Sequence, residues 1–133
     1  MSVQQFVIQS SLNRNGRPLL SLELSEDDTA CVVINMCGEM DMNTDHLLTE
    51  LVEQVAIRRP DRVVLDMAGV RFFCADGIRT LIRVQTTVTS AGGQLVLRDP
   101  SAMTRLLLTI TGTDRLFTIS PARDGNPAEK GDH

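Results

Sequence analysis

The sequence predicts an α/β protein, with a small mixed β-sheet and helices packed mainly on one face. Three observations lead there. Apolar residues change period along the chain: Leu20, Leu22 and Leu24 alternate with polar neighbours as in a strand, whereas Leu48, Leu51, Val52 and Val55 recur at helical steps. Two strand-like runs are followed by three helix-strand repeats, which demands an antiparallel opening and then right-handed crossovers to parallel strands. Helix stops fall where those repeats need them, at Pro60, at Ala91-Gly92-Gly93 and at Gly112.

In chain order, Phe6, Val7 and Ile8 suggest a short strand in a lead-in, and Asn15-Gly16 is a turn signal that leaves an extra hairpin open. Leu20 to Ser25 is a strand with one wet face. Glu26-Asp27-Asp28 is a polar turn, and the almost unbroken apolar run from Ala30 to Met36 predicts a buried central strand that ends at Gly38-Glu39-Met40-Asp41. Asn43, Thr44 and Asp45 are N-cap candidates for the helix carrying Leu48 to Val55, with Arg58 and Arg59 at its negative end.

Val63-Val64-Leu65 predicts a short buried strand, and Ile78, Leu81, Ile82 and Gln85 an amphipathic helix, with the period switching at Cys74-Ala75-Asp76-Gly77. Gln94 to Arg98 is a strand. Asp99-Pro100 reads as an N-cap followed by proline at the first helical position. Met103, Leu106, Leu107 and Ile110 predict the buried stripe of that helix, and Leu116 to Ile119 a last strand. The following PARDGNPAEKGDH has too little apolar content to pack and is expected to be disordered.

At 133 residues the chain fits one domain, and a domain of this size buries roughly two thirds of its unfolded surface. A mean hydropathy of -0.01, the lack of a long apolar run and an N-terminus without signal-peptide patterning predict a cytoplasmic protein with no membrane insertion. A net charge of -4 and four aromatic residues, all Phe, argue against nucleic-acid binding. Cys31, Cys37 and Cys74 lack zinc or disulfide spacing, so reduced thiols and no metal are expected.

Chemistry has few candidates. Nucleotide-binding glycine motifs are absent. His46 reads as a solvated helix residue without a partner set, and Cys74, near a helix start, as a structural thiol. The acid pairs Glu39 with Asp41 and Asp66 with Asp76 read as solvated loop carboxylates, and Asp76 additionally as a helix cap. No enzyme and no cofactor are predicted. The chain shows no heptad repeat and no apolar surface stripe beyond its core faces, which predicts a monomer or weak dimer.

The segments GEMDMNT at Gly38 to Thr44, VVLDMAGVRFFCADGI at Val63 to Ile78, AGGQLVLRDPS at Ala91 to Ser101 and RLLLTITGTDRLFTI at Arg105 to Ile119 together resemble the STAS domain of anti-sigma factor antagonists. The likeness covers residues 19–120, leaving a lead-in at 1–18 and a tail at 121–133. It implies a STAS-like fold and a non-catalytic protein of bacterial partner switching, which binds an anti-sigma factor of the serine-kinase type and so frees a sigma factor. In that family the turn before the second helix reads Asp-Ser-Ser-Gly or Asp-Ser-Thr-Gly, with the first hydroxyl as phosphoacceptor. Here Cys74, Ala75, Asp76 and Gly77 stand at those positions, so the acceptor position is Ala75, which cannot be phosphorylated.

The resemblance implies that partner-binding residues are Glu39, Asp41 and Met42 in one loop and Cys74, Ala75, Asp76, Gly77 and Arg79 at the helix start. Two states are open: a permanently binding-competent antagonist, or one in which the Asp76 charge imitates the phosphorylated, released form. STAS domains also serve as subunits of lipid-transporting ABC systems and as scaffolds of signalling complexes, which are the alternative roles.

Overall fold

The computed structural model describes residues 4–12, 18–26, 30–41 and 44–121. The elements are β1 (Gln4–Leu12), β2 (Pro18–Glu26), β3 (Cys31–Met40), α1 (Asp45–Ile57), β4 (Arg62–Phe73), α2 (Ala75–Ser90), β5 (Gln94–Arg98), α3 (Ala102–Ile110), a 3-10 turn (Asp114–Leu116) and β6 (Thr118–Ser120). They form one six-stranded sheet in sequence order, antiparallel from β1 to β3 and parallel from β3 to β6. This is the mixed sheet that the element order demands.

Alternation along each strand decides which side the helices cover. Leu20, Leu22 and Leu24 of β2, Val32, Ile34 and Met36 of β3, Val63, Leu65 and Met67 of β4, and Leu95 and Leu97 of β5 are buried in one core. That core is closed by Leu48, Leu51, Val52 and Val55 of α1 and by Ile78, Leu81, Val84 and Val88 of α2. The opposite side of the sheet carries Arg62, Gln94, Arg98, Thr118 and Ser120 around Val64 and Val96. Cross-strand register places Asp66 beside Arg98 on that side, where Nε and Nη2 donate to one carboxylate oxygen at 3.1 and 2.7 Å and the other oxygen accepts from the Ala68 amide at 3.0 Å. Asp66 is therefore a paired strand residue and not a loop carboxylate.

Several elements differ from the sequence expectation. The lead-in strand spans the whole of Gln4–Leu12 and pairs with β2. β3 is central but buried on one side only, and it runs on through Gly38 to Met40. Gly38 has φ +123, and the β3–β4 register shifts between Asn35 and Cys37 and again between Gly38 and Glu39. A bulge at a left-handed glycine lets the strand continue past a residue that would otherwise end it. β4 is correspondingly twelve residues long and not a short strand. It passes β3 so closely at Gly69 that a Cβ there would lie 2.8 Å from the Met36 carbonyl oxygen.

The third helix is capped by Ser101, whose hydroxyl accepts from the Thr104 amide, and not by Asp99. Asp99 has φ +54 and its amide instead bonds the Ser120 carbonyl, so it belongs to the end of the sheet. The buried side of the helix also differs from the expectation: Thr104 and Leu108 are buried and Leu107 partly so, while Met103, Leu106 and Ile110 of the predicted stripe are exposed. The premise that no apolar stripe lies outside the core thus does not hold. A 3-10 turn also takes Leu116, leaving β6 at Thr118–Ser120. The Asn15-Gly16 and Asp27-Asp28 turn signals and the 122–133 tail lie outside the described residues.

Arg58, at the α1 C-cap, pairs with Glu26 at the end of β2. The hydrogen bond from Arg58 holds the Glu26 carboxyl below its ordinary value. A lowered carboxylate pKa stabilises the fold above the unfolded-state value, and that contribution is lost as the pH falls through the folded value. Because Arg58 is half exposed, screening keeps the pair to about 1 kcal/mol or less. Glu26→Gln is therefore expected to lower stability by no more than that at about pH 7, and by less at an acidic pH below the ordinary glutamate value. Denaturant melts at the two pH values check it, and a difference that grows on acidification would contradict the pairing.

Candidate functional site

The corner between β4 and α2 is built with a one-residue turn. β4 ends at Phe73 and α2 starts at Ala75, so Cys74 alone forms the junction, with extended backbone and no side-chain cap hydrogen bond. The first turn of α2 packs onto the end of its own strand: a Cβ on the buried Gly77 would lie 2.7–2.8 Å from the Phe73 ring. Glycine is needed here for close approach and not for an unusual φ. Ala75 and Arg79 are exposed, and Cys74 and Asp76 half-buried. Asp76 sits inside the first turn and makes no cap hydrogen bond, which corrects its expected capping role.

The adjoining wall is the end of β3. Glu39 and Met40 are in register with Phe72 and Phe73, and the Met40 carbonyl accepts from the Cys74 amide at 3.4 Å. Beyond it stands the fully buried Thr44. Its hydroxyl donates to the Glu39 carbonyl at 2.8 Å and accepts from the Asp41 amide at 3.0 Å. The Thr44 and Asp45 amides both return to the Asp41 carbonyl, at 3.1 and 2.9 Å. Glu39 and Asp41, both half-buried, are thereby brought to the edge that carries Cys74 and Ala75. Met42 lies outside the described residues.

Below this edge the two helix starts are tied together. The Thr80 hydroxyl donates to the Asp45 carboxylate at 3.1 Å, and Asp45, Asp76, Arg79, Thr80 and Arg83 line a shallow hollow of about 250 Å³. Sequence reasoning missed Thr80, Arg83 and the second role of Asp45. Arg83 follows Arg79 at one helical turn and could have been found by spacing, whereas the Asp45–Thr80 contact spans 35 residues and has no local signal. Asp66 does not join Asp76, and His46 is exposed on α1. Among the described residues no group of three or more His, Cys, Asp or Glu converges as a metal site, and no helix is long and apolar enough to cross a membrane.

The STAS domain family model matches residues 21–125, most of the chain and all of this corner. The chain belongs to the STAS domain family. Its fold is similar to that of an anti-sigma factor antagonist from Mycobacterium paratuberculosis, at 22% identity and TM-score 0.66, covering 93% of this chain and 90% of that one. It is likewise similar to the anti-sigma factor antagonist SpoIIAA in its unphosphorylated form, at 15% identity and TM-score 0.67, over 84% of this chain and 98% of that one. The phosphorylated form of SpoIIAA, a Bacillus cell fate determinant, gives TM-score 0.63 at 14% identity, over 84% and 99% of the two chains. A comparison with curated proteins returned no match.

Two substitutions test how this STAS domain holds its corner. Gly77→Ala drives a methyl group into the Phe73 ring and is expected to cost about 1–3 kcal/mol by overpacking. Thr44→Val keeps the shape but removes the hydroxyl from the Glu39 carbonyl and the Asp41 amide, at an expected cost of about 1–3 kcal/mol. Equilibrium denaturation reads both. An unchanged midpoint for Gly77→Ala would mean that the Phe73 ring gives way at no cost.

Proposed function

We propose that this STAS domain is a non-catalytic anti-sigma factor antagonist. On this reading it binds an anti-sigma factor of the serine-kinase type in bacterial partner switching, in the cytoplasm, and regulates sigma-dependent transcription. The observation that carries the reading is Ala75, exposed at the uncapped start of α2 beside the half-buried Glu39 and Asp41. The similarity of its fold to SpoIIAA, an anti-sigma factor antagonist with phosphorylated and unphosphorylated forms, supports it. The partner-binding set is Glu39, Asp41, Met42, Cys74, Ala75, Asp76, Gly77 and Arg79, within a domain at 19–120, and no cofactor takes part.

Ala75 stands at the acceptor position without a hydroxyl, so the antagonist is constitutively unphosphorylated there. Thr80, one turn on, is buried and already bonded to Asp45, which withholds it from a kinase. Asp76 brings one charge, one residue late, where a phosphate would bring about -1.5 to -2. It is a weak imitation of the released form, and the binding-competent state is the one we assign.

The test starts from the protein that the chain pulls down from a lysate of its host cells. Incubation with that kinase and ATP is expected to leave residues 74–77 without phosphate by mass spectrometry. Ala75→Glu would set an unpaired charge into the contact and is expected to weaken binding more than about a hundredfold by calorimetry, a cost of several kcal/mol. Asp76→Asn is expected to change affinity by no more than a few-fold, and a sharp gain would instead assign Asp76 as the phosphate mimic. Unchanged binding by Ala75→Glu would refute the corner as the interface, and capture of an ABC ATPase would assign a transport role.

A further inference from the structure

The sheet has two edges, and they are built differently. β6 is three residues long and is followed at once by Pro121, two devices that keep an edge strand from pairing further. β1 is nine residues long, contains neither a proline nor a charged residue, and lies ahead of the stretch 21–125 that the STAS model matches. The strand that it covers, β2, carries Glu23 and Glu26. Adding β1 therefore exchanges a charged edge for an uncharged one. Its remaining protection is an irregularity in the pairing with β2, between Val7 and Gln9.

Backbone chemistry says what such an edge accepts. Neighbouring residues of a strand direct their N–H and C=O groups to opposite sides, so alternate residues of β1 bond β2 and the others face outward. Among the described residues, no strand takes up that outer row. An extended backbone is the group that matches its spacing.

We propose that the outer edge of β1 pairs antiparallel with β1 of a second copy, joining two six-stranded sheets into one continuous sheet. A strand turned about a two-fold axis meets its own image with donors opposite acceptors, so the contact is complementary by symmetry. Two identical strands also bring identical residues together near the axis, where any charged one would face its own copy. β1 has none, which suits pairing with itself, and it offers no opposite charge to select a charged foreign strand.

The axis stands perpendicular to the sheet, because that rotation keeps the faces aligned while reversing the strand direction. Both helical layers then lie on one face, and the two corners at Cys74 point to opposite ends of the joined sheet. β2 and β3 stand between β1 and the corner strand β4, so each corner stays open. The pairing does not depend on the partner assigned to the corner.

Sedimentation of the purified full chain over a range of concentrations tests this, with Ser10→Pro and Ser11→Pro as a pair of variants. Of two adjacent positions, one sends its N–H to β2 and the other outward, so one proline breaks the pairing within the fold and the other removes an outer donor. Thermal unfolding tells which is which. The parent is expected to pass from monomer to dimer as its concentration rises, and the variant that melts like the parent to dimerise roughly tenfold more weakly or worse. Amide hydrogen exchange of the parent gives a reading without any substitution. Peptides covering residues 4–12 are expected to exchange more slowly at the concentration that forms dimer than at one that does not, and peptides covering α3 to exchange alike at both. A parent that stays monomeric at every concentration, exchange at 4–12 that ignores concentration, or an outward-facing variant that dimerises like the parent would overturn the proposal.

Discussion

The corner depends on the parallel pairing of β3 with β4. Parallel neighbours run in the same direction, so the loop that leaves β3 and the helix that follows β4 must emerge at the same end of the sheet. The register then brings Glu39 and Met40 beside Phe72 and Phe73. Had the two strands paired antiparallel, Asp41 and Ala75 would lie at opposite edges. The switch from antiparallel to parallel pairing at β3 is thus the feature that turns two separate turns into one surface.

The pairing alone would leave the two sides loosely related, and buried polar contacts make them rigid. Thr44 has no access to water, so its hydroxyl must find partners within the protein, and it finds them in the strand end and the loop. Thr80 plays the corresponding part between the helices, bonding both the Asp45 carboxylate and the Asp76 carbonyl. Each side chain is small and β-branched, with few rotamers to lose, so ordering it costs little entropy. The Gly77–Phe73 contact adds shape to this frame, since it brings the helix axis nearer the strand end than any other residue type would allow.

Much of the architecture was legible because it rests on period and on turn residues, which are local properties. The order of elements, the mixed sheet and the β5 strand at Gln94–Arg98 follow from alternation and from the stops at Pro60, Gly92 and Gly112. Strand lengths were less legible: β3 and β4 run on because their bulged registers match each other, and neither sequence carries that information alone. The α3 face was misread because Met103, Leu106 and Ile110 obey a helical period as well as Thr104 and Leu108 do, and a nine-residue helix with apolar residues on both sides does not say which side meets the core. For the corner, the residues at Cys74 to Gly77 stood out by the change of period. The capping role of Asp76 did not survive, because α2 begins at Ala75, directly after Cys74, and so Asp76 lies inside the first turn and not ahead of it.

The single-residue junction at Cys74 has a consequence for kinetics. A segment with no slack has few conformations to give up when it is covered, so on the proposed function association at α2 is spared the ordering cost that a flexible loop would incur. Encounter then needs orientation but no rearrangement, and differences among partners are expressed in how long they stay and not in how fast they arrive. The same stiffness removes loop rearrangement as a means of control at this position. Any change in occupancy has to come from the chemical character of the exposed side chains, one residue at a time.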